Sequence, residues 1–309
     1  MSGPWTTKDI PDLHGRQVVI TGANSGIGFF TALELAGKGA HVTLAVRSVE
    51  RGEAAAQDIR KRYPASAVRV LPLDLADLAS INRFAVDYRQ RGAPLDILIN
   101  NAGVMNIPFR RTADGFEMQF GTNHLGHFAL TGLLLPVLLS APAARIVTVS
   151  SINHNFGRID FDNLDGSKKY GGFPAYNQSK LANVLFAYEL QRRLAAHGAK
   201  TISVACHPGY ASTNLQSAGS RMTGSRLGLV FWSFANAIMA QPAEMGALPS
   251  LYAAVAPGVP GGSFVGPLGL GGIRGTPGVV RSNPRSYDME TARRLWQVSE
   301  ALTGVTYPL

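Results

Sequence analysis

Cysteine is almost absent from this chain of 309 residues. Cys206 stands alone, which excludes an intrachain disulfide framework and a cysteine-rich metal site and fits a reducing compartment. Charge is also scarce. Charged residues make up 16% against 46% hydrophobic ones, the balance of a folded globular protein with a low surface charge density. The net charge is positive, +9, yet the basic residues are scattered singly or in pairs such as Lys168-Lys169 and Arg192-Arg193. With no basic run and no interleaved aromatics, no nucleic-acid partner is expected, only a general attraction for anionic ligands. Long hydrophobic runs are lacking too. The longest nearly apolar stretch, Leu227 to Ala240, would span about 21 Å as a helix against a hydrocarbon core of about 30 Å, so no membrane span is expected. The first residues, from Met1 to Asp9, have no apolar core of the signal-peptide kind, and the expected location is cytoplasmic. No linker or repeat divides the sequence, so one domain over 1–309 is expected, long enough to bury about three quarters of its extended surface.

What is present begins with Val18-Val19-Ile20-Thr21-Gly22-Ala23-Asn24-Ser25-Gly26-Ile27-Gly28. An apolar run joins three glycines and then a helical pattern, which reads as strand, phosphate-binding turn and helix. Gly22 suits the tight turn, Gly26 lets backbone approach a pyrophosphate, and Gly28 lets the helix pack close to the strand; the amides opening that helix supply positive potential. A mononucleotide phosphate loop is disfavoured, because Phe29 and Phe30 stand where a Lys-Ser/Thr pair would follow. The expected ligand is a dinucleotide.

Short apolar strands and amphipathic helices then alternate. Strands are expected at His41 to Val46, Val68 to Leu73, Leu95 to Ile99, Arg145 to Ser151, Thr201 to Cys206 and Ser263 to Val265. Helices are expected at about Val49 to Tyr63, Ile81 to Tyr88, Thr112 to Leu139, Tyr176 to Ala196, Ala243 to Val255 and Ser286 to Thr303. The pattern predicts an α/β fold: a single-domain, doubly wound (Rossmann), mostly parallel seven-stranded sheet with helices on both faces and right-handed crossovers.

In such folds an acidic residue ending the second strand bonds the ribose hydroxyls of NAD. Val46 stands there and Arg47 follows. An arginine can fork onto a 2′-phosphate, and the missing carboxylate removes a repulsion against it; NADP(H) is therefore expected over NAD(H). His124 and His127 lie three apart without a nearby third ligand, so they read as polar or packing histidines and no metal is expected.

Four motifs arrive in one order: Gly-x-x-x-Gly-x-Gly after Thr21, Asn100-Asn101-Ala102-Gly103, the serine pair Ser150-Ser151, and Tyr176-Asn177-Gln178-Ser179-Lys180. Together they resemble the short-chain dehydrogenase/reductase family over nearly the whole chain. The long excursion from Ile152 to Phe173 resembles its retinol-dehydrogenase-like branch and is a lid or rim candidate. The resemblance implies a catalytic set of Asn123, Ser151, Tyr176 and Lys180, with Asn123 opening a helix kink and holding a water that relays protons. The choice of the second serine depends on strand register. To the cofactor the same likeness assigns Gly22, Asn24, Ser25, Gly26, Ile27 and Gly28 of the turn, then Arg47, Asp74, Leu75, Asn101, Ala102 and Gly103. It adds Tyr176, Lys180 and, in the segment after the sixth strand, Pro208, Gly209 and Thr213. For Asp74 two readings stand, an adenine contact and a helix N-cap.

Tyr176 and Lys180 are four apart and share a helix face. A free tyrosine titrates at about 10. An ammonium at about 4 Å, with an effective dielectric of 20, would favour the phenolate by roughly 4 kcal/mol and bring Tyr176 near neutrality, the best range for a general acid/base. The expected reaction is NADP(H)-dependent reduction of a carbonyl, or oxidation of the matching alcohol, on a hydrophobic small molecule of retinoid, steroid or aryl-carbonyl type. A redox sensor without turnover and a reductase of an activated C=C bond are the alternatives. About residues 210–242 a cover is expected, whose apolar half suits a greasy ligand, a partner subunit or a membrane surface equally. A homo-oligomer stays open.

Overall fold

A computed structural model describes residues 3–210 and 241–309. Among them eight strands form one sheet: β1 (Gln17–Thr21), β2 (His41–Val46), β3 (Ala67–Pro72), β4 (Ile97–Asn100), β5 (Arg145–Val149), β6 (Ile202–Cys206), β7 (Phe264–Gly269) and β8 (Arg274–Val280). They lie in the order β3-β2-β1-β4-β5-β6-β7-β8. Neighbours pair in parallel up to β7, and β8 returns antiparallel to it. Strand order reverses between β1 and β4, which opens a crevice at the carboxyl ends of the strands, the place where doubly wound sheets take their ligands.

Both faces of the sheet are covered, and the alternation of side chains along each strand divides the core in two. Val18 and Ile20 of β1 pack with Leu35 of α1 (Gly26–Gly37), Ile59 of α2 (Val49–Arg62) and Leu251 of α6 (Ala243–Val255). Val19 points the other way. With Leu98 and Ile146 it meets Phe84 of α3 (Leu78–Arg89), Phe128 of α4 (Met118–Leu139) and Phe186 of α5 (Gly172–Ala196). Burial on both faces explains why these strands are nearly continuous apolar runs. Trp296 of the closing helix α7 (Met289–Thr303) stacks on Phe186 at 5.9 Å between ring centres.

Two expectations change, and one falls outside the described residues. The sheet has an eighth strand, because Arg274 to Val280 holds two glycines and a proline, a composition that reads as a loop but that a sheet edge tolerates. Helix α4 begins at Met118 rather than Thr112. Residues 112–116 instead close a turn, Thr112 N–H donating to the Phe116 carbonyl at 2.8 Å and Phe116 N–H to the Thr112 hydroxyl at 3.1 Å, and Glu117 caps the helix by accepting from the amides of Gln119 and Phe120. Among the described residues α4 is also the one helix long and apolar enough to cross a membrane, and 78% of that stretch is buried inside the domain. Thr213 and the greater part of the expected cover, 211–240, lie outside the described residues.

Candidate active site

β1 ends on Thr21, and Thr21 ties the glycine turn to the loop after β4. Its hydroxyl accepts from the N–H groups of Asn101 and Ala102, each at 2.9 Å, and its carbonyl accepts from Asn101 Nδ2 at 2.8 Å. Gly22 and Gly26 take left-handed backbone, φ +66° and +55°, which side chains resist. A Cβ on Gly28 would fall 2.5 Å from Asn101 Nδ2 and 2.6 Å from the Gly22 carbonyl oxygen, so only glycine lets α1 approach this closely. Ser25 makes no side-chain cap on α1, which leaves the first helical amides for a ligand.

A cleft of about 420 Å³ lies over these strand ends. It is lined by the turn residues Gly22, Asn24, Ser25, Gly26, Ile27 and Gly28, by Arg47, and by Asp74 and Leu75. Asn101, Ala102 and Gly103 line it too, followed by Ser151, Tyr176, Lys180, Pro208 and Gly209. The open question over Asp74 is narrowed: its Oδ1 accepts from Ala76 N–H at 2.9 Å, while α3 is capped by Asp77, which accepts from Ala79 N–H at 2.9 Å. Asp74 is not the N-cap. A glycine turn with free amides beside an arginine suits a dinucleotide phosphate.

Of the four residues expected to work together, Ser151, Tyr176 and Lys180 line the cleft. Asn123 sits in a π-turn, Gly121–Leu125, where the Gly126 N–H reaches back to the Gly121 carbonyl, an interruption of the regular α-helical bonding. Its amide is spent on structure: Oδ1 accepts from Val104 N–H at 2.8 Å, and Nδ2 donates to the Val104 carbonyl and to Ser179 Oγ, both at 2.9 Å. Asn123 is fully enclosed and does not line the cleft. The serine register is also resolved. Ser150 donates its hydroxyl to the Lys180 carbonyl at 2.7 Å, whereas Ser151 Oγ accepts from Asn153 N–H at 3.2 Å and hydrogen-bonds Tyr176. Lys180 Nζ donates to the Val149 carbonyl at 3.1 Å and stands 5.7 Å from the centre of the Tyr176 ring.

That geometry corrects the expected proton chemistry. Tyr176 is 4% exposed and Lys180 3%. Burial pushes the phenol up to about 12, opposed by the hydrogen bond with Ser151, and burial pushes the ammonium down to about 8, opposed by the electrostatic interaction with Cys206. Desolvation is the largest influence on both groups. Burial thus keeps the Tyr176 phenol protonated at pH 7 rather than poised at neutrality. Cys206 itself is buried and inert, its thiol pushed up to about 12 by burial.

A family model of short chain dehydrogenases matches residues 16–223. This chain belongs to the short-chain dehydrogenase family. Within it the likeness is to the retinol-dehydrogenase branch: the chain is 46% identical to retinol dehydrogenase 13 of Homo sapiens over 299 residues, covering 95% of this chain and 86% of that one. It is 44% identical to retinol dehydrogenase 11 of Homo sapiens over 293 residues, covering 95% and 87%. A crystal structure of an uncharacterized protein from Mycobacterium paratuberculosis is similar in fold, with a TM-score of 0.82 at 46% identity, covering 99% of this chain and all of that one, 100%. The chain is accordingly an oxidoreductase.

In this short-chain dehydrogenase the cleft also holds residues that sequence reasoning missed. Ser48 and Arg51 line it beside Arg47, and both arginines are exposed. Ser48 caps α2 by accepting from Arg51 N–H at 3.4 Å. The signal was available, since a serine N-cap places Arg51 in the first helical turn after Arg47. Met105, Ile152, Phe173 and Tyr210 form apolar wall near Ser151 and Tyr176. They come from four segments, the loops after β4 and β6, the turn after β5 and the start of α5, and no spacing rule joins them, although Ile152 and Phe173 bound the expected rim and Tyr210 opens the expected cover.

Proposed function

We propose that this oxidoreductase uses NADP(H) to interconvert a carbonyl and its alcohol on a hydrophobic, retinoid-like substrate. The observation that carries the reading is the single cleft in which Ser151, Tyr176 and Lys180 line one end and the glycine turn with Arg47 and Arg51 the other. When bound, the cofactor supplies or takes up the hydride. The turn amides would hold its pyrophosphate, Arg47 and Arg51 its 2′-phosphate, and Lys180 its nicotinamide ribose.

The side chains divide the remaining work. Ser151 donates a hydrogen bond to the substrate oxygen, where negative charge develops during reduction. Tyr176, held neutral by burial, gives that oxygen its proton. Because the Asn123 amide is already committed to Val104 and Ser179, the relay water falls to its main-chain carbonyl, which has a second lone pair to offer. Apolar wall at Met105, Ile152 and Phe173 favours a long hydrocarbon next to the reacting carbonyl, and the names of the relatives, retinol dehydrogenases, agree with that class.

The test is a screen of all-trans-retinal, steroid ketones and aryl aldehydes with NADPH and with NADH, followed at the nicotinamide absorbance. Oxidation of NADPH by retinal, with NADH at least about tenfold poorer, is expected. Tight NADPH binding without turnover of any carbonyl would overturn the enzymatic reading; preference for NADH would overturn the role of the arginines.

A further inference from the structure

His127 has no part in the roles above, yet both its ring nitrogens are committed. The residue is 1% exposed. Nδ1 lies 2.9 Å from the main-chain oxygen of Asn123, and Nε2 lies 2.9 Å from the Thr21 hydroxyl. A carbonyl only accepts, so Nδ1 must carry the hydrogen. The Thr21 oxygen already accepts from the amides of Asn101 and Ala102, which occupies both lone pairs. Its own hydrogen therefore goes to Nε2 at 2.9 Å rather than to the Ile99 carbonyl, the other acceptor in reach at 3.5 Å, and one neutral tautomer satisfies the whole group.

We propose that His127 is a positioning residue for the proton relay, tying the Asn123 carbonyl to the Thr21 hub beneath the glycine turn so that relay and cofactor cradle stay in register. The proposal rests on the reading of Asn123 as the holder of the relay water. His127 takes one lone pair of the Asn123 carbonyl, and in the proposed relay the other goes to that water. It also fixes the carbonyl at the π-turn, where the regular helical pattern of acceptors is interrupted. A second proton on the ring would bring a third donor to Thr21. Burial first, then the nearby Lys180, oppose that proton, against the hydrogen bond to Asn123, and hold the imidazole down to about 4. His124, the other titratable neighbour, is likewise pushed down to about 3 by burial.

The experiment uses the full chain in three forms, wild type, H127F and H127N. In wild type, nitrogen-15 spectra of the histidines should show His127 with its hydrogen on Nδ1 and no titration down to about pH 5. In H127F, kcat should fall about tenfold and its pH profile should move, with KM and the NADPH dissociation constant changed by less than about threefold. H127N restores a donor to the Asn123 carbonyl and should recover most of kcat. A ring that titrates near its ordinary value or carries its hydrogen on Nε2 overturns the proposal. So does a folded H127F with wild-type kcat and pH profile, or a loss of kcat that only follows a loss of melting temperature and that H127N does not repair. If H127F fails to fold, the wild-type spectra and H127N decide. A dead Y176F beside an unchanged H127F removes only this proposal, whereas an active Y176F removes the relay reading on which it rests.

Discussion

The two ends of the cleft handle charge in opposite ways. At one end Arg47 and Arg51 are exposed, and among the described residues neither has a carboxylate within ion-pair distance. At the other, Tyr176 and Lys180 are 4% and 3% exposed. Water screens the first pair, so their charge is full but its reach is short. Desolvation governs the second set, so hydrogen bonds and altered protonation decide what it does. In the function proposed here, the first end holds an anion and the second moves a proton.

The contrast is broken most severely at Lys180. K180M should lower turnover about a thousandfold, because a donor to both ribose and relay is lost, and steady-state rates check this. It should also sharpen the contrast in stability. Lys180 is lowered from 10.5 to about 8 by burial, so between those values the unfolded chain binds more protons and wild-type stability rises with pH. The melting temperature of K180M relative to wild type should therefore stand highest below pH 8 and decline toward pH 10.5. A difference that is flat or grows with pH would refute the buried cation.

S151A should cost about a hundredfold in kcat, with NADPH affinity unchanged by titration. Smaller still is the effect at the open end. R47A with R51A should weaken NADPH about tenfold to thirtyfold and leave NADH untouched, erasing the preference between them. Least of all, raising salt from about 0.05 to 0.5 M should weaken NADPH only a few-fold and leave kcat almost alone; a large effect on kcat would mean that the buried end is wetter than its burial indicates.

The same division explains what the sequence revealed. The strands, the glycine turn and the Tyr176–Lys180 spacing are local patterns, set by chain periodicity and by residues a few positions apart, and they were legible. So was Arg47, which follows a strand end directly. The eighth strand was hidden because its glycines and proline are those of a loop. The proton chemistry of Tyr176 was misjudged because attraction between two side chains can be read from spacing, while burial cannot. Ser150 and Ser151 are told apart only by distant partners, the Lys180 carbonyl for the first and Tyr176 for the second. The link from Thr21 to His127 spans 106 positions, and nothing near either residue announces it.

Tyr176 as the proton donor within a cofactor-loaded cleft is the central claim, and a paired measurement on wild type and Y176F tests it most directly: NADPH affinity by fluorescence titration, and single-turnover reduction of a carbonyl with the same samples. The expected result is an NADPH dissociation constant unchanged within about threefold and a reduction rate lower by at least about a thousandfold. A Y176F rate within about tenfold of wild type would contradict it.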